Sequence, residues 1–189
     1  NQREVHMKSF KTFLQTNYHY TDYQIKVMEY FIKTCLSEIS KFIFMGIFFA
    51  CFSAFPYYLY ATVILWVLRF CSGGLHCKTY LGCLLFSHTY LCLCILVLPR
   101  LYLSMILELI LLFMCIVISY FIAPVPSIYR QHITPIRRKQ YRTCLIIFLL
   151  IHFILTFIFP QNPYLSVGFW VIMIHIIQLV TAYAKEVLA

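Results

Sequence analysis

Apolar residues in this chain come in long unbroken runs and do not alternate with polar ones. Phe42–Phe55, Leu84–Leu98, Leu101–Ile122, Leu145–Phe159 and Leu165–Tyr183 are nearly free of charge. A helix needs about 17–25 apolar residues to cross a bilayer, and several of these runs reach that length once flanking Tyr, Thr and Ser are counted. Strands of a membrane barrel would alternate apolar and polar residues. The pattern predicts an all-α polytopic membrane protein, a single domain over 1–189. Residues 1–41 are polar and mixed in charge, with Phe10, Phe13 and Leu14 on one helical face, an amphipathic segment suited to the membrane surface. Thr21-Asp22 reads as the N-cap of a following helix. There Ile25, Met28, Ile32, Leu36 and Ile39 form a stripe, and Glu29 and Lys33 are spaced as an i,i+4 pair. Membrane helices are expected within 42–184.

Phe42–Phe70 is apolar for about 29 residues, about 43 Å as one straight helix, against a hydrocarbon core of about 30 Å. Pro56 breaks it. Charge decides between one span and two. Arg130, Arg137, Arg138, Lys139 and Arg142 stand without an acid in 127–142, which reads as a basic loop containing Pro135. Cationic loops stay on the cytoplasmic side. With that loop inside, Pro99-Arg100 lies outside and Cys71–Cys83 lies inside. The cationic N-terminus is also inside only if 42–70 makes a hairpin at Phe55-Pro56. Six hydrophobic helices with both ends cytoplasmic follow. Ala123-Pro124-Val125-Pro126 ends the central span, because the residue before a proline is pushed out of the α region. Pro160-Gln161-Asn162-Pro163 reads as an external turn.

The chain is 62% hydrophobic and 11% charged, too apolar for a soluble domain. Residues 1–41 hold no early apolar core, so no secretory signal is expected. The net charge of +9 comes with no nucleic-acid-binding motif, and no nucleic-acid partner is expected. Nine cysteines without regular spacing or a C-x-x-C pair argue against a disulfide framework.

One polar stretch interrupts the spans: Arg69-Phe70-Cys71-Ser72-Gly73-Gly74-Leu75-His76-Cys77-Lys78-Thr79-Tyr80-Leu81-Gly82-Cys83. A cysteine nucleophile needs a nearby base, and His76 is a candidate for Cys83. Cys83 falls near the start of the 80–98 span, where the helix dipole favours a thiolate. On one straight helix the two residues would stand about 10.5 Å apart along the axis, too far for proton transfer. The chain must therefore break before Cys83, and Ser72-Gly73-Gly74 permits such a bend. The plain alternative is a polar loop histidine and a structural thiol. Backbone N–H groups at Gly82 and Cys83 are candidate oxyanion donors. His76, Cys77, Cys83 and His88 match no familiar zinc spacing, so no metal and no other cofactor is expected. Glu108 lies toward the outer face, away from Cys83, and gives no third catalytic member. His152 and His175 read as hydrogen-bonded packing residues within spans.

Arg69-x-x-Ser72-Gly73-Gly74-Leu75-His76-Cys77-Lys78-Thr79, with Cys83 seven residues past the histidine, resembles the accessory gene regulator protein B (AgrB) family of membrane cysteine endopeptidases in peptide quorum sensing. Size, hydropathy profile, Ala123-Pro124-Val125 and the basic stretch behind it extend the resemblance. It implies His76 and Cys83 as the catalytic pair, within an active-site loop that includes Ser72, Gly73, Gly74 and Lys78. The family usually has a small residue where Cys77 stands, which makes Cys77 the alternative nucleophile. The implied reaction cuts an AgrD-type propeptide through a Cys acyl-enzyme and closes a thiolactone or lactone ring. Family propeptides carry an acidic tail, for which Arg137, Arg138, Lys139 and Arg142 are candidate partners. The bilayer is the other partner, and a homodimer is compatible with a membrane enzyme of this size. The competing readings are a small transporter or channel using Glu108, His152 and His175, and a non-catalytic scaffold.

Overall fold

A computed structural model describes residues 20–73, 79–125 and 134–187. The amphipathic segment at Phe10, Phe13 and Leu14, the Lys33 side chain, and Gly74, His76, Cys77, Lys78 and Arg130 lie outside the described residues. The described secondary structure is helical throughout, and six helices are long and apolar enough to cross a membrane. In chain order they are α1 (Asp22–Cys51), α2 (Phe55–Ser72), α3 (Tyr80–Cys92, continued by a π-helical turn and a 3-10 turn to Arg100), α4 (Met105–Ile122), α5 (Pro135–Ile158) and α6 (Pro163–Val187). The chain divides into two units, Asn1–Met45 and Gly46–Ala189.

In the first unit, Thr21 caps α1 as expected. Its backbone N–H and hydroxyl donate to Gln24 Oε1 (2.8 and 3.0 Å), and the Gln24 N–H donates back to Thr21 Oγ1 (3.3 Å). This reciprocal capping box satisfies donors that the first turn leaves without partners. Of the expected stripe, Ile25 is buried, while Ile32, Leu36 and Ile39 are exposed. The span expected to begin at Phe42 is not a separate helix. It is the last part of α1, whose 30 residues supply the length that the piece before Pro56 lacks.

The second unit holds the bundle. A helix break falls just before the expected Phe55-Pro56 position: Ser53 takes φ 54°, and Pro56 stands in the first turn of α2. Proline fits there because its missing N–H has no helical acceptor to lose. At the end of α3, Pro99 cannot donate to the preceding turn. The helix tightens into a 3-10 turn at Leu98–Arg100. Ala123 ends α4 in an extended conformation (φ −77°, ψ 152°), as its position before Pro124 requires.

One expectation is corrected. Arg137, Arg138, Lys139 and Arg142 do not lie in a loop; they occupy the first turns of α5. Thr134 caps that helix, accepting from the Arg137 N–H (3.4 Å), and Pro135 fills its first position. A proline behind a threonine is a helix-start signal, and it outweighs the unfavourable cations near a helix N-terminus.

The core lies where α2, α4, α5 and α6 meet, around Leu65, Leu68, Leu112, Leu145, Leu149, Phe169 and Ile172. Val63, Trp66, Phe113, Phe121, Ile154 and Phe157 face outward. Large apolar side chains on the outside of every span fit a lipid surround. Gly168 sets the closest approach. A Cβ there would stand 2.5 Å from His152 Cε1, 2.8 Å from Ile64 Cδ1 and 3.2 Å from Tyr60 Cε1. Small residues at such crossings let membrane helices approach closely.

Gly168→Ala is expected to cost about 1–3 kcal/mol through overpacking. Gly46→Ala meets its nearest atom only at 3.4 Å. It should be neutral or slightly stabilising, since Ala is the better helix former. Thermal unfolding of the purified protein in detergent compares the two; equal midpoints would contradict the packing argument.

Candidate active site

The polar stretch is bounded by two capped helix ends. Upstream, α2 stops at Ser72, and Gly73 takes φ 84°, a left-handed conformation that favours glycine. Its N–H donates to Arg69 O (3.0 Å). Downstream, Thr79 is the N-cap of α3, its side chain accepting from the Gly82 N–H (3.2 Å). Gly73 and Thr79 both lie outside helix, so Cys83 stands on a helix that begins at Tyr80. Cys83 sits in the first turns of α3, half-buried, with its N–H donating to Thr79 O (3.0 Å).

The oxyanion assignment to the Gly82 and Cys83 N–H groups meets a geometric objection. Both already donate to Thr79, one to its hydroxyl and one to its carbonyl. Donors spent on the cap are not aimed at a substrate oxygen.

The two motif segments, about 50 residues apart in sequence, touch. The Val125 N–H donates to Ser72 O (3.1 Å), and a Cβ on Gly73 would stand 3.0 Å from Val125 O. Arg142 joins them from α5. Its Nε donates to Ala123 O (2.9 Å), and its guanidinium lies 5.7 Å from the Tyr120 ring centroid, within cation–π range. Arg142 is thus a structural strap, whereas Arg137, Arg138 and Lys139 are exposed.

Sequence reasoning missed the partner of Ser72. His175, fully buried in α6, places Nε2 2.7 Å from Ser72 Oγ, across 103 positions of chain. The signal was present: an ionisable residue within a span, with Gln178 one turn on, is a functional candidate by default. A second inter-helix bond lies one turn earlier on α6, where the Tyr90 hydroxyl donates to Val171 O (2.6 Å). It docks α3, and with it Cys83, on the helix that carries His175. Another His–Cys contact, Cys92 Sγ to His88 Nε2 (3.6 Å), lies deeper in α3, where His88 packs edge-on against Phe48.

Glu108 is in the first turn of α4, at the opposite end of the bundle from Ser72 and Val125. Its distance from the Cys83 end agrees with the expectation. His152 is buried beside Gly168. Among the described residues no three of His, Cys, Asp and Glu are grouped to hold a metal.

Thr79→Ala should weaken the start of α3 by about 0.5–2 kcal/mol, the usual cost of losing such a cap. Thr79→Ser should keep it. Amide hydrogen exchange at Gly82 and Cys83 is expected to quicken about 2–30-fold in the alanine variant only; unchanged exchange there would show that the cap is dispensable.

Comparison with known proteins places this geometry in context. No solved structure matches the chain. An AgrB-like protein of Clostridium beijerinckii is 33% identical over 102 residues, which cover 53% of this chain and 51% of that protein. The chain thus aligns with about half the length of that relative. Residues 7–179, which include the capped break, the Ala123-Pro124-Val125 segment and both inter-helix bonds to α6, match the family Accessory gene regulator B. On that match, across nearly all of its spans, the chain belongs to the AgrB family.

Proposed function

We propose that this chain is a membrane-embedded cysteine endopeptidase that cuts a quorum-sensing propeptide of the AgrD type and promotes its cyclisation. The observation that carries the reading is the position of Cys83 in the first turns of a helix that begins only after His76 in sequence. Family membership supports this substrate class. Cys83 gives its thiol proton to His76, and the thiolate attacks the scissile carbonyl and forms a tetrahedral oxyanion. Collapse expels the amine of the downstream fragment, which takes a proton from His76. The upstream fragment remains as a thioester on Cys83. A thiol or hydroxyl within that fragment gives its proton to the now neutral His76 and attacks the thioester carbonyl, Cys83 leaves as thiolate, and the ring closes as a thiolactone or lactone. Exchange of one thioester for another is nearly balanced in free energy, so the outcome depends on excluding water, which a membrane site favours.

Two further parts belong to this reading. Both chain ends lie on the cytoplasmic side, so that the basic start of α5 and the Cys83 end of α3 share that face. The exposed Arg137, Arg138 and Lys139 attract the acidic propeptide tail. Arg142 is left out because its guanidinium is engaged with Ala123 and Tyr120.

Propeptide cleavage followed by mass spectrometry tests the chemistry. Cys83→Ala and His76→Ala are each expected to lower it at least about 100-fold, and a thioester adduct should be found on Cys83. Processing that survives both substitutions would sink the assignment. Cleavage lost in Cys77→Ala and kept in Cys83→Ala would move the nucleophile to Cys77.

Neutralising Arg137, Arg138 and Lys139 together is expected to weaken propeptide binding about tenfold at low salt, each exposed contact being worth about 1 kcal/mol or less. The difference should fade in high salt. Unchanged affinity at low salt, measured with labelled propeptide and protein in nanodiscs, would remove the tail-binding role.

A further inference from the structure

The hydrogen bonds around Ser72 have one consistent arrangement. Its hydroxyl has a single proton and three neighbours, Leu68 O and His175 Nε2 at 2.7 Å and, more distantly, Gly73 O at 3.3 Å. A carbonyl oxygen can only accept, whereas a neutral imidazole can donate from Nε2. Both shorter contacts are satisfied when Ser72 donates to Leu68 O and His175 Nε2–H donates to Ser72 Oγ. The Ser72 proton is then turned away from the imidazole, and the side chain is fully buried. This pair is not an activated nucleophile and its base.

The same tautomer leaves His175 Nδ1 as a bare acceptor, buried without a hydrogen-bond partner among the described residues. An apolar side chain would fill that space without leaving a polar atom unsatisfied. Among the described residues the histidine's hydrogen bond is the one to Ser72, and that bond sits at a sensitive place. Ser72 is the last residue of α2, and the chain to His76 departs from it through the left-handed Gly73. The Ser72 carbonyl is held from the other side by the Val125 N–H. On α6, Val171 accepts from Tyr90 of α3 one turn before His175. Adjacent turns of one helix therefore carry both halves of the site: α3 with Cys83, and the end of α2 from which the segment with His76 begins.

We propose that His175 is a positioning residue of the peptidase: through its hydrogen bond to Ser72 it fixes the end of α2 and so the departure of the His76 segment relative to Cys83. The inference rests on the peptidase reading above. His175 touches neither substrate nor the reacting atoms. It acts on the chemical step, where small displacements of the base are costly, and not on propeptide affinity.

The test is steady-state cleavage of the synthetic propeptide by the full chain in nanodiscs. Ser72→Ala and His175→Leu are each expected to lower kcat at least about tenfold with KM within about twofold. His175→Gln, whose amide nitrogen reaches the place of Nε2, should return kcat to within about threefold of wild type. The double variant Ser72→Ala/His175→Leu should be no slower than the worse single variant, because both remove the same bond. Four results overturn the proposal: kcat unchanged in Ser72→Ala, a loss confined to KM, no rescue by His175→Gln, or losses that multiply in the double variant. If His175→Leu does not fold, Ser72→Ala and His175→Gln decide alone. Cys83→Ala in the same assay separates the two failures. Cleavage that needs Cys83 but ignores Ser72 and His175 removes this inference and leaves the peptidase reading; cleavage that ignores Cys83 removes the reading itself.

Discussion

The site end of this bundle depends on two hydrogen bonds to adjacent turns of α6: Tyr90 to Val171, and His175 to Ser72. Packing among apolar side chains tolerates sliding, because many registers of Leu, Ile and Phe bury similar area. A hydrogen bond between named atoms does not. In lipid the hydrophobic effect gives helices little reason to prefer one another, and interhelical hydrogen bonds of about 0.6–2 kcal/mol carry a larger share of the specificity. The Tyr90 bond sets the height of α3. The His175 bond holds Ser72, the last residue of α2.

Close packing makes these bonds geometrically attainable. Gly168 lets α6 come against the His152 ring and Ile64, where any side chain would hold the helices apart. Further along the same helix, His175 then lies within reach of Ser72. Arg142 works toward the same end from α5. It satisfies the Ala123 carbonyl at the end of α4, next to the segment whose Val125 N–H holds Ser72. Three elements distant in sequence thus converge on one helix terminus.

Much of the fold was legible because lipid allows few solutions. Unbroken apolar runs had to be helices, since no other open structure satisfies its backbone in hydrocarbon. The charge argument required a turn between Phe42 and Phe70, and one is present just before Pro56. The break before Cys83 followed from the reach of a proton transfer. The start of α5 was misread because a run of cations was weighted above Thr134-Pro135, a helix-start pair. The role of Thr79 was not legible in the same way: its side chain caps α3 through the Gly82 N–H, and its carbonyl takes the Cys83 N–H.

By itself the sequence determined the fold class, the helix breaks at glycine and proline, and the residues with chemistry to offer, because these depend on local composition and backbone sterics. It could not determine which buried polar atoms meet. Ser72 and His175 are 103 residues apart, and no periodicity links them. Only the crossing of α2 and α6 decided that a serine in the motif and a histidine in the last span share one proton, since a hydrogen bond requires distance and direction that a one-dimensional pattern does not contain.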